Sequence, residues 1–154
     1  RAVVMGGANI NSGDDRAERA MEFFTLASSG NATDFGETDV KRRMIMNGSS
    51  NGTRGIFGGG ATSVNLKTIS YVNITSAGNA EYFGDLTEVK QRAGGACTGT
   101  RAVFYNTSSP SMSNTIDYIN FTTTGNAIDF GDAYDQNNYT KGGTSDSNGG
   151  LGGF

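Results

Sequence analysis

Several residue types are missing or rare in this chain of 154 residues, which has no histidine, no tryptophan, one cysteine and one proline. Without histidine, the chain lacks the commonest general base and the commonest ligand of zinc and copper. A lone cysteine, Cys97, excludes an intrachain disulfide and a thiolate metal cluster. We therefore expect no catalytic residue, no metal site and no cofactor, and we predict that the protein is not an enzyme.

Long apolar runs and basic patches are missing as well. No segment approaches the roughly 20 apolar residues of a membrane span, so we expect no membrane insertion. The formal net charge is −3, from 12 basic and 15 acidic residues. Nucleic-acid binding needs a basic surface that neutralises phosphates, so we expect no nucleic-acid partner. The densest basic cluster, Lys41-Arg42-Arg43, is predicted to be a solvated turn.

Glycine is the abundant residue, with 24 positions, while aromatic residues make up 10% of the chain. The glycines favour tight turns and short strands over long helices. The aromatic residues indicate a folded core, because disordered chains lack such anchors. The composition predicts an all-β protein.

Internal repetition organises the sequence. Residues 29–37 recur as residues 77–85 and 124–132, and the glycines that lead these segments are 48 and 47 residues apart (Gly30, Gly78 and Gly125). An arginine-led block precedes each of them, at residues 1–7, 54–60 and 101–104. Such spacing is typical of repeat architectures. We divide the chain, as a single repeat domain over residues 1–154, into units of roughly 1–53, 54–100 and 101–148, followed by a glycine-rich tail at 149–154.

Each unit is predicted to contain four short strands. These are the arginine-led block, the Tyr/Ile-rich stretch that follows it, the Phe-Gly segment, and a weaker segment through Val40 or Val89. The Gly-Asn dipeptides at the glycines above are predicted to be turns. Residues 16–23 contain good helix formers, but their counterparts in the other units resemble strands, so we predict a strand there too. The first unit also carries five extra residues, around 9–15, in a predicted loop.

A family resemblance follows from these blocks. Arg-Gly-x-Phe-x-Gly-Gly, Ile-x-Tyr-x-x-Ile and Gly-Asn-Ala-x-Asp-Phe-Gly-Asp, most complete in residues 55–101, resemble the degenerate kelch-like repeats of bacteriophage tail and fibre proteins, especially those of marine phages. The resemblance implies that each unit is a four-stranded blade of a β-propeller. It also implies a virion structural protein of the tail-fibre or appendage type, which contributes to recognition of the host surface.

The number of blades leaves alternative folds and functions open. Propellers have about four to eight blades, and three cannot close a ring, so two copies would form a six-bladed ring or the chain would be a fragment of a longer one. Three units in 154 residues also suit a β-trefoil or β-prism with pseudo-threefold symmetry. The corresponding alternative function is a lectin-like carbohydrate-binding module, secreted or on a cell surface. The expected partners are further copies, other virion proteins or a host-surface glycan.

Equivalent polar residues are candidates for sites. Arg1, Arg54 and Arg101 would converge on an anionic ligand or, as we prefer, bond carbonyl or carboxylate groups of the neighbouring unit. Two sets of carboxylates are also equivalent: Asp34, Glu81 and Asp129 form one set, and Glu37, Asp85 and Asp132 form the other. Paired carboxylates would suit glycosidase chemistry. The favoured interpretation is that they cap turns or pair with arginines.

Other candidates lie outside the repeated blocks. Asp14-Asp15, and Asp132 with Asp135, would supply oxygen ligands for calcium, although solvated turns are the favoured interpretation. Phe23, Tyr71 and Tyr118 are expected to pack in the core or between units. The binding residues themselves are unknown from the sequence, and any recognition surface is expected on loops that carry less repetitive aromatic residues, Tyr105, Tyr134 and Tyr139.

Overall fold

The computed structural model describes residues 1–8, 17–43, 45, 48–107 and 112–134. Regular structure in these residues is entirely β, as predicted, and they include no helix that could cross a membrane. The five-residue insertion and the glycine-rich tail lie outside the described residues. The strands are β1 (Ala2–Met5), β2 (Glu18–Phe24), β3 (Thr33–Arg42), β4 (Ser49–Ser50), β5 (Arg54–Gly58), β6 (Thr68–Asn73), β7 (Glu81–Asp85), β8 (Gly94–Cys97), β9 (Arg101–Thr107), β10 (Ser113–Asn120) and β11 (Ile128–Asp132).

The strands form three antiparallel sheets that do not close into a barrel. Their orders are β1-β2-β3, β4-β5-β6-β7 and β8-β9-β10-β11, so each strand pairs with its neighbours in sequence. Local pairing of this kind needs only short connections. Three of the predicted strands per unit are confirmed. The fourth was wrong: β4 and β8 precede the arginine-led strand, Val40 lies within the long β3, and Val89 is outside any strand.

Residues 18–23 show how the sheet overrides helix propensity. Met21 is 0% exposed and lies opposite Met5 on β1, whereas Glu22 on the other face is exposed. This alternation suits a strand with one buried face. The strand predicted from the repeat is therefore confirmed over Glu18–Phe24.

Every unit has a β-bulge at its Phe-Gly pair. The pairing register shifts between Met21 and Glu22, between Ile69 and Ser70, and between Ile116 and Asp117. The residue left unpaired on the last strand is phenylalanine each time (Phe35, Phe83 and Phe130). A bulge bends the strand and redirects its side chains, so the repeated phenylalanine leaves the regular ladder at the same place in all three sheets.

The predicted Gly-Asn turns are displaced in the structure. The chain turns four residues earlier, at 26–28, 74–76 and 121–123. The Gly-Asn-Ala residues that follow Ser76 and Thr123 instead make backbone hydrogen bonds to a different sheet. Their sequence suits a turn, but a tertiary contact uses the same backbone groups.

Two hydrophobic clusters hold the sheets face to face. One joins the first sheet to the second and contains Met21, Phe35, Phe57 and Val72. The other joins the second sheet to the third and contains, among others, Ile56, Ile69, Phe83, Phe104, Ile119 and Phe121. The middle sheet is therefore buried on both faces.

Candidate assembly site between repeat units

The Gly-Asn-Ala segment of each later unit lies against the last strand of the unit before it. We call residues 30–32, 78–80 and 125–127 the docking segments, and residues 35–37, 83–85 and 130–132 the docking edges. At the first junction, the amide of Gly78 donates to the Phe35 carbonyl (2.7 Å) and that of Ala80 to the Glu37 carbonyl (2.8 Å). The Asn79 side-chain oxygen accepts a hydrogen bond from the Glu37 amide (3.0 Å).

The second junction repeats these three bonds. Gly125 donates to the Phe83 carbonyl and Ala127 to the Asp85 carbonyl, both at 2.8 Å. The Asn126 side chain accepts from the Asp85 amide at 3.0 Å. An unpaired strand edge attracts such partners because its backbone groups need hydrogen bonds. The repeated motif thus contains both halves of a junction.

Glycine in the docking edge permits this close approach. A Cβ built on Gly36 would lie 2.6 Å from the Gly78 carbonyl oxygen. A Cβ on Gly84 would overlap the Gly125 carbonyl and lie 2.9 Å from the Asn126 amide nitrogen. Any side chain here would separate the two backbones, so the junction itself requires glycine.

The three equivalent arginines repeat a stacking contact. The guanidinium carbon of Arg1 lies 4.3 Å from the Phe23 ring centre, and the corresponding distances are 4.8 Å for Arg54 over Tyr71 and 5.1 Å for Arg101 over Tyr118. Cations over aromatic faces are attracted by the ring quadrupole. The rings themselves meet Phe35, Phe83 and Phe130 edge to face, at 6.0, 5.9 and 5.9 Å. The three aromatic residues therefore make equivalent contacts within their own units, and Phe23 and Tyr71 also pack against the clusters between units, as expected.

Two of these arginines also reach the next unit. Arg1 donates to the carbonyls of Ile74 (3.2 Å) and Thr75 (3.3 Å). Arg54 donates to the carbonyl of Phe121 (2.7 Å), the counterpart of Ile74. The preferred prediction, that each arginine bonds groups of the neighbouring unit, is confirmed for Arg1 and Arg54.

A buried cation crosses the first junction. Arg42, at the end of β3, is 0% exposed and donates to the Ser70 hydroxyl and to the Thr68 carbonyl (3.4 Å) of the second sheet. Asp39 lies 3.3 Å from the guanidinium, and burial lowers the pKa of Arg42 against the effect of this carboxylate. The predicted solvated turn was therefore wrong at Arg42, because this end of β3 points into the junction.

Lys90 is the equivalent buried cation at the second junction. Its side chain is 0% exposed, and its ammonium group donates to the Thr115 carbonyl (3.0 Å) and to Glu88 (2.7 Å). The Asp117 carboxylate, also 0% exposed, lies 3.8 Å away and accepts a hydrogen bond from the Thr87 hydroxyl. Burial raises the pKa of Asp117, although the Thr87 bond and the Lys90 charge act in the opposite direction. A buried charge needs such partners because desolvation is costly.

Four of the six repeated carboxylates have structural partners: Asp34, Glu81, Asp85 and Asp129. Asp34 and Asp129 accept hydrogen bonds from the amides of Gly36 (3.1 Å) and Gly131 (2.9 Å). Glu81 instead accepts from the Tyr71 hydroxyl. Asp85 lies 3.3 Å from the Lys67 ammonium group. Both aspartates lie within a strand, beside its β-bulge, so these hydrogen bonds span the bulge rather than a turn.

Two shallow pockets lie at equivalent positions of the second and third units. The first, of about 370 Å³, is lined by Tyr71, Asn73, Ser76 and Asn79, among others. The second, of about 110 Å³, is lined by the counterparts of those residues: Tyr118, Asn120, Thr123 and Asn126. Aromatic, amide and hydroxyl groups thus recur together beside two docking segments.

Of the remaining candidates, the structure describes only Tyr105, Tyr134 and Asp132. Tyr105 lies in β9 and is half-buried, so its assignment to a loop was wrong. Tyr134 is fully exposed. Tyr139, Asp14, Asp15 and Asp135 lie outside the described residues. Among the residues that the structure does describe, no three acidic or cysteine side chains are grouped closely enough to hold a metal ion.

No protein-family model matches the sequence, and no curated protein matches it.

Proposed function

We propose that this protein is a structural component of a bacteriophage virion, of the tail-fibre or appendage type, which contributes to contact with the host surface. The proposal combines the resemblance to phage kelch-like repeats with the use of the motif residues. The observation that carries it is the identical set of three hydrogen bonds at both junctions. The residues that carry the resemblance serve to join repeat units, as expected in a scaffold.

We further propose that the three sheets are blades of the β-propeller type. Two features support blades over a trefoil or prism. Each sheet is a meander of neighbouring strands, and the middle sheet contributes to hydrophobic clusters on both its faces. Sheets arranged around one common core would bury a single face each, whereas blades pack against a neighbour on either side.

Immunogold electron microscopy tests the virion assignment. Antibodies against the purified chain are applied to purified particles of the phage that encodes it, with particles from an unrelated phage as the control. We expect gold at one defined position on the tail or its appendages, and peptides of the chain in the particle digest. Particles that lack the chain, while the infected-cell lysate contains it, would contradict the proposal.

A lectin-like module is the second candidate, and the repeated pocket favours it. The half-buried rings of Tyr71 and Tyr118 can stack on a sugar ring, and the exposed amide groups beside them can bond its hydroxyls. On a glycan array we expect binding that is lost when the pockets are filled by Ser76→Trp together with Thr123→Trp. The matched control is Ser63→Trp, which changes an exposed serine outside the pockets. An array without hits, or hits that survive the double change, would reject this candidate.

A further inference from the structure

We propose that copies of this protein associate head to tail, with the docking segment 30–32 of one copy bound to the docking edge 130–132 of another. This inference deepens the proposed scaffold function and rests on it, because it names the partner and the contact. The docking segment of the first unit and the docking edge of the third are both exposed. Together they supply the two halves of one more junction.

The side of each sheet that meets the preceding unit is here called its back face, and in the first unit no other described sheet packs against it. Its apolar residues there are Val4, Phe24 and Leu26, which are 46%, 36% and 73% exposed, together with exposed Ala32. Their counterparts are packed in the junction clusters of the later units. These are Phe57, Val72, Ile74 and Ala80 in the second unit, and Phe104, Ile119, Phe121 and Ala127 in the third.

The opposite side of each sheet is its front face, and in the third unit no other described sheet packs against it. Phe130 is 55% exposed, whereas Phe35 and Phe83 at the same position are 2% exposed. The other front-face residues of this unit are only half-buried, while their counterparts in the second unit pack in or against the junction cluster. The former are Val103, Ile116 and Tyr118, and the latter are Ile56, Ile69 and Tyr71.

The backbone at Gly131 and the side chain of Arg101 also lack the contacts with a following unit that their counterparts make among the described residues. No described residue comes within 4 Å of the position of a Cβ on Gly131, although its counterparts Gly36 and Gly84 are in close contact with the next docking segment. Arg101 is exposed and stacked on Tyr118, in the orientation that Arg1 and Arg54 use to reach the next unit. Its partner in a second copy would be the carbonyl of exposed Leu26, the counterpart of Ile74 and Phe121.

These features favour a second copy as the occupant. The back face of the first unit and the front face of the third unit carry the same residue types as the faces that meet at the two junctions within the chain. The new contact therefore continues an existing interface. Because the two surfaces differ, the contact is heterologous, and repeated copies close into a ring or extend as a filament. Exposed apolar patches beside an open sheet edge are typical of interaction sites.

Sedimentation velocity over a concentration series tests the association directly. We expect the average mass of the full chain to rise with concentration, and we expect Ala32→Arg to weaken association by roughly 30-fold or more, as for a central interface residue. Ala32 is exposed in the single copy, so the change should leave the fold intact. Val64→Arg is the matched control, because Val64 is also exposed but lies on neither face. A monomer at every concentration, or equal association of Ala32→Arg, would overturn the proposal.

Disulfide trapping identifies the surfaces. In a Cys97→Ala background, a chain with Asn31→Cys is mixed with a chain with Asp132→Cys and gently oxidised. The positive control is Glu37→Cys with Asn79→Cys in one chain, where the Asn79 side chain meets the Glu37 amide at 3.0 Å. We expect a disulfide-linked pair of chains from the mixture. If the control closes but the mixture does not, the docking edge is covered by something else, such as residues 135–154, and the proposal is wrong.

The outcomes separate this inference from the proposed function. Association through these surfaces without gold on virions would reject the phage assignment and keep the docking contact. Gold on virions, together with a purified chain that stays monomeric, would keep the phage assignment and reject the docking contact.

Discussion

The docking edges of β7 and β11 have the same sequence, Phe-Gly-Asp, and different surroundings. Phe83 is 2% exposed and its glycine neighbour is in backbone contact with the next unit. Phe130 is 55% exposed, and no described residue lies within 4 Å of the Cβ position of its glycine neighbour. Each sheet is hydrogen-bonded within itself, yet its phenylalanine is buried only by the unit that follows. In such an array, stability is approximately a sum of units and of junctions between neighbours. The motif is therefore best understood as an interface sequence.

The phenylalanines give the largest expected difference. We expect Phe83→Ala to lower the free energy of unfolding by about 3–5 kcal/mol, because it leaves a cavity in the junction cluster. Phe130→Ala removes a half-exposed ring with one aromatic neighbour and should cost about 1 kcal/mol or less. Urea unfolding of both variants in an Ala32→Arg background, which is expected to weaken association, measures the difference. Equal costs would mean that the junction does not contribute to stability, and would contradict the comparison.

Gly36 and Gly131 allow the same comparison, between an edge that contacts a docking segment and one that does not, at the level of the backbone. Gly36 and Gly131 have nearly equal φ angles, +137° and +136°, so alanine suffers similar backbone strain at both, of about 1–3 kcal/mol. Only Gly36 also faces a docking segment, 2.6 Å from the Cβ position. We therefore expect Gly36→Ala to lower the free energy of unfolding by about 1–3 kcal/mol more than Gly131→Ala, as for overpacking.

Urea unfolding in the same background measures this difference, and the comparison needs no correction for strain because the two φ angles match. If Gly131→Ala proved as costly as Gly36→Ala, the strained backbone alone would explain the requirement for glycine, and the close approach of the docking segment would be unimportant.

Sequence reasoning recovered the repeat, the all-β class and three strands of each unit. These depend on local patterns, such as the alternation around Ile69 and Tyr71 or the equivalence of residues 16–23 with later strands. The carbonyl partners expected for Arg1 and Arg54 followed from the repeat as well. Regular repetition strengthens such inferences, because an assignment made in one unit can be compared with the equivalent residues of the other two.

Docking itself could not be predicted, because it depends on which backbone groups meet across the junction. Gly-Asn favours a turn locally, and nothing in the sequence shows that the Gly78 amide reaches the Phe35 carbonyl. Burial of Arg42 was missed for a similar reason: a basic triplet is usually solvated, and only the packing of the next sheet turns one of its members inward. The alignment of Ser70 with Asp117, each facing a buried cation, was the available signal.

That alignment also distinguishes the two junctions from each other. At the first, the buried cation Arg42 meets the neutral hydroxyl of Ser70. At the second, Lys90 lies 3.8 Å from the carboxylate of Asp117, and both side chains are 0% exposed. Among the described residues, therefore, only the second junction carries a fully buried group on the partner sheet that titrates in acid.

The smallest expected effect is a pH dependence that belongs to the second junction alone. Burial raises the pKa of Asp117 above its ordinary value of 3.8, so the folded chain binds this proton more tightly than the unfolded chain. The contribution of Asp117 to stability is then greatest below about pH 3.8 and falls as the pH rises through the raised pKa. We expect the free energy of unfolding of the native chain, minus that of Asp117→Asn, to decrease from acid to neutral pH.

Thr87→Val sharpens this prediction, because it removes the hydrogen bond that lowers the pKa of Asp117. The fall should then extend to higher pH. Urea unfolding at a series of pH values, in the Ala32→Arg background, measures both differences. A difference that rises from acid to neutral pH would mean that Lys90 stabilises the Asp117 carboxylate by more than burial disfavours it, and the second junction would then be held by an ion pair rather than by apolar packing around a costly charge.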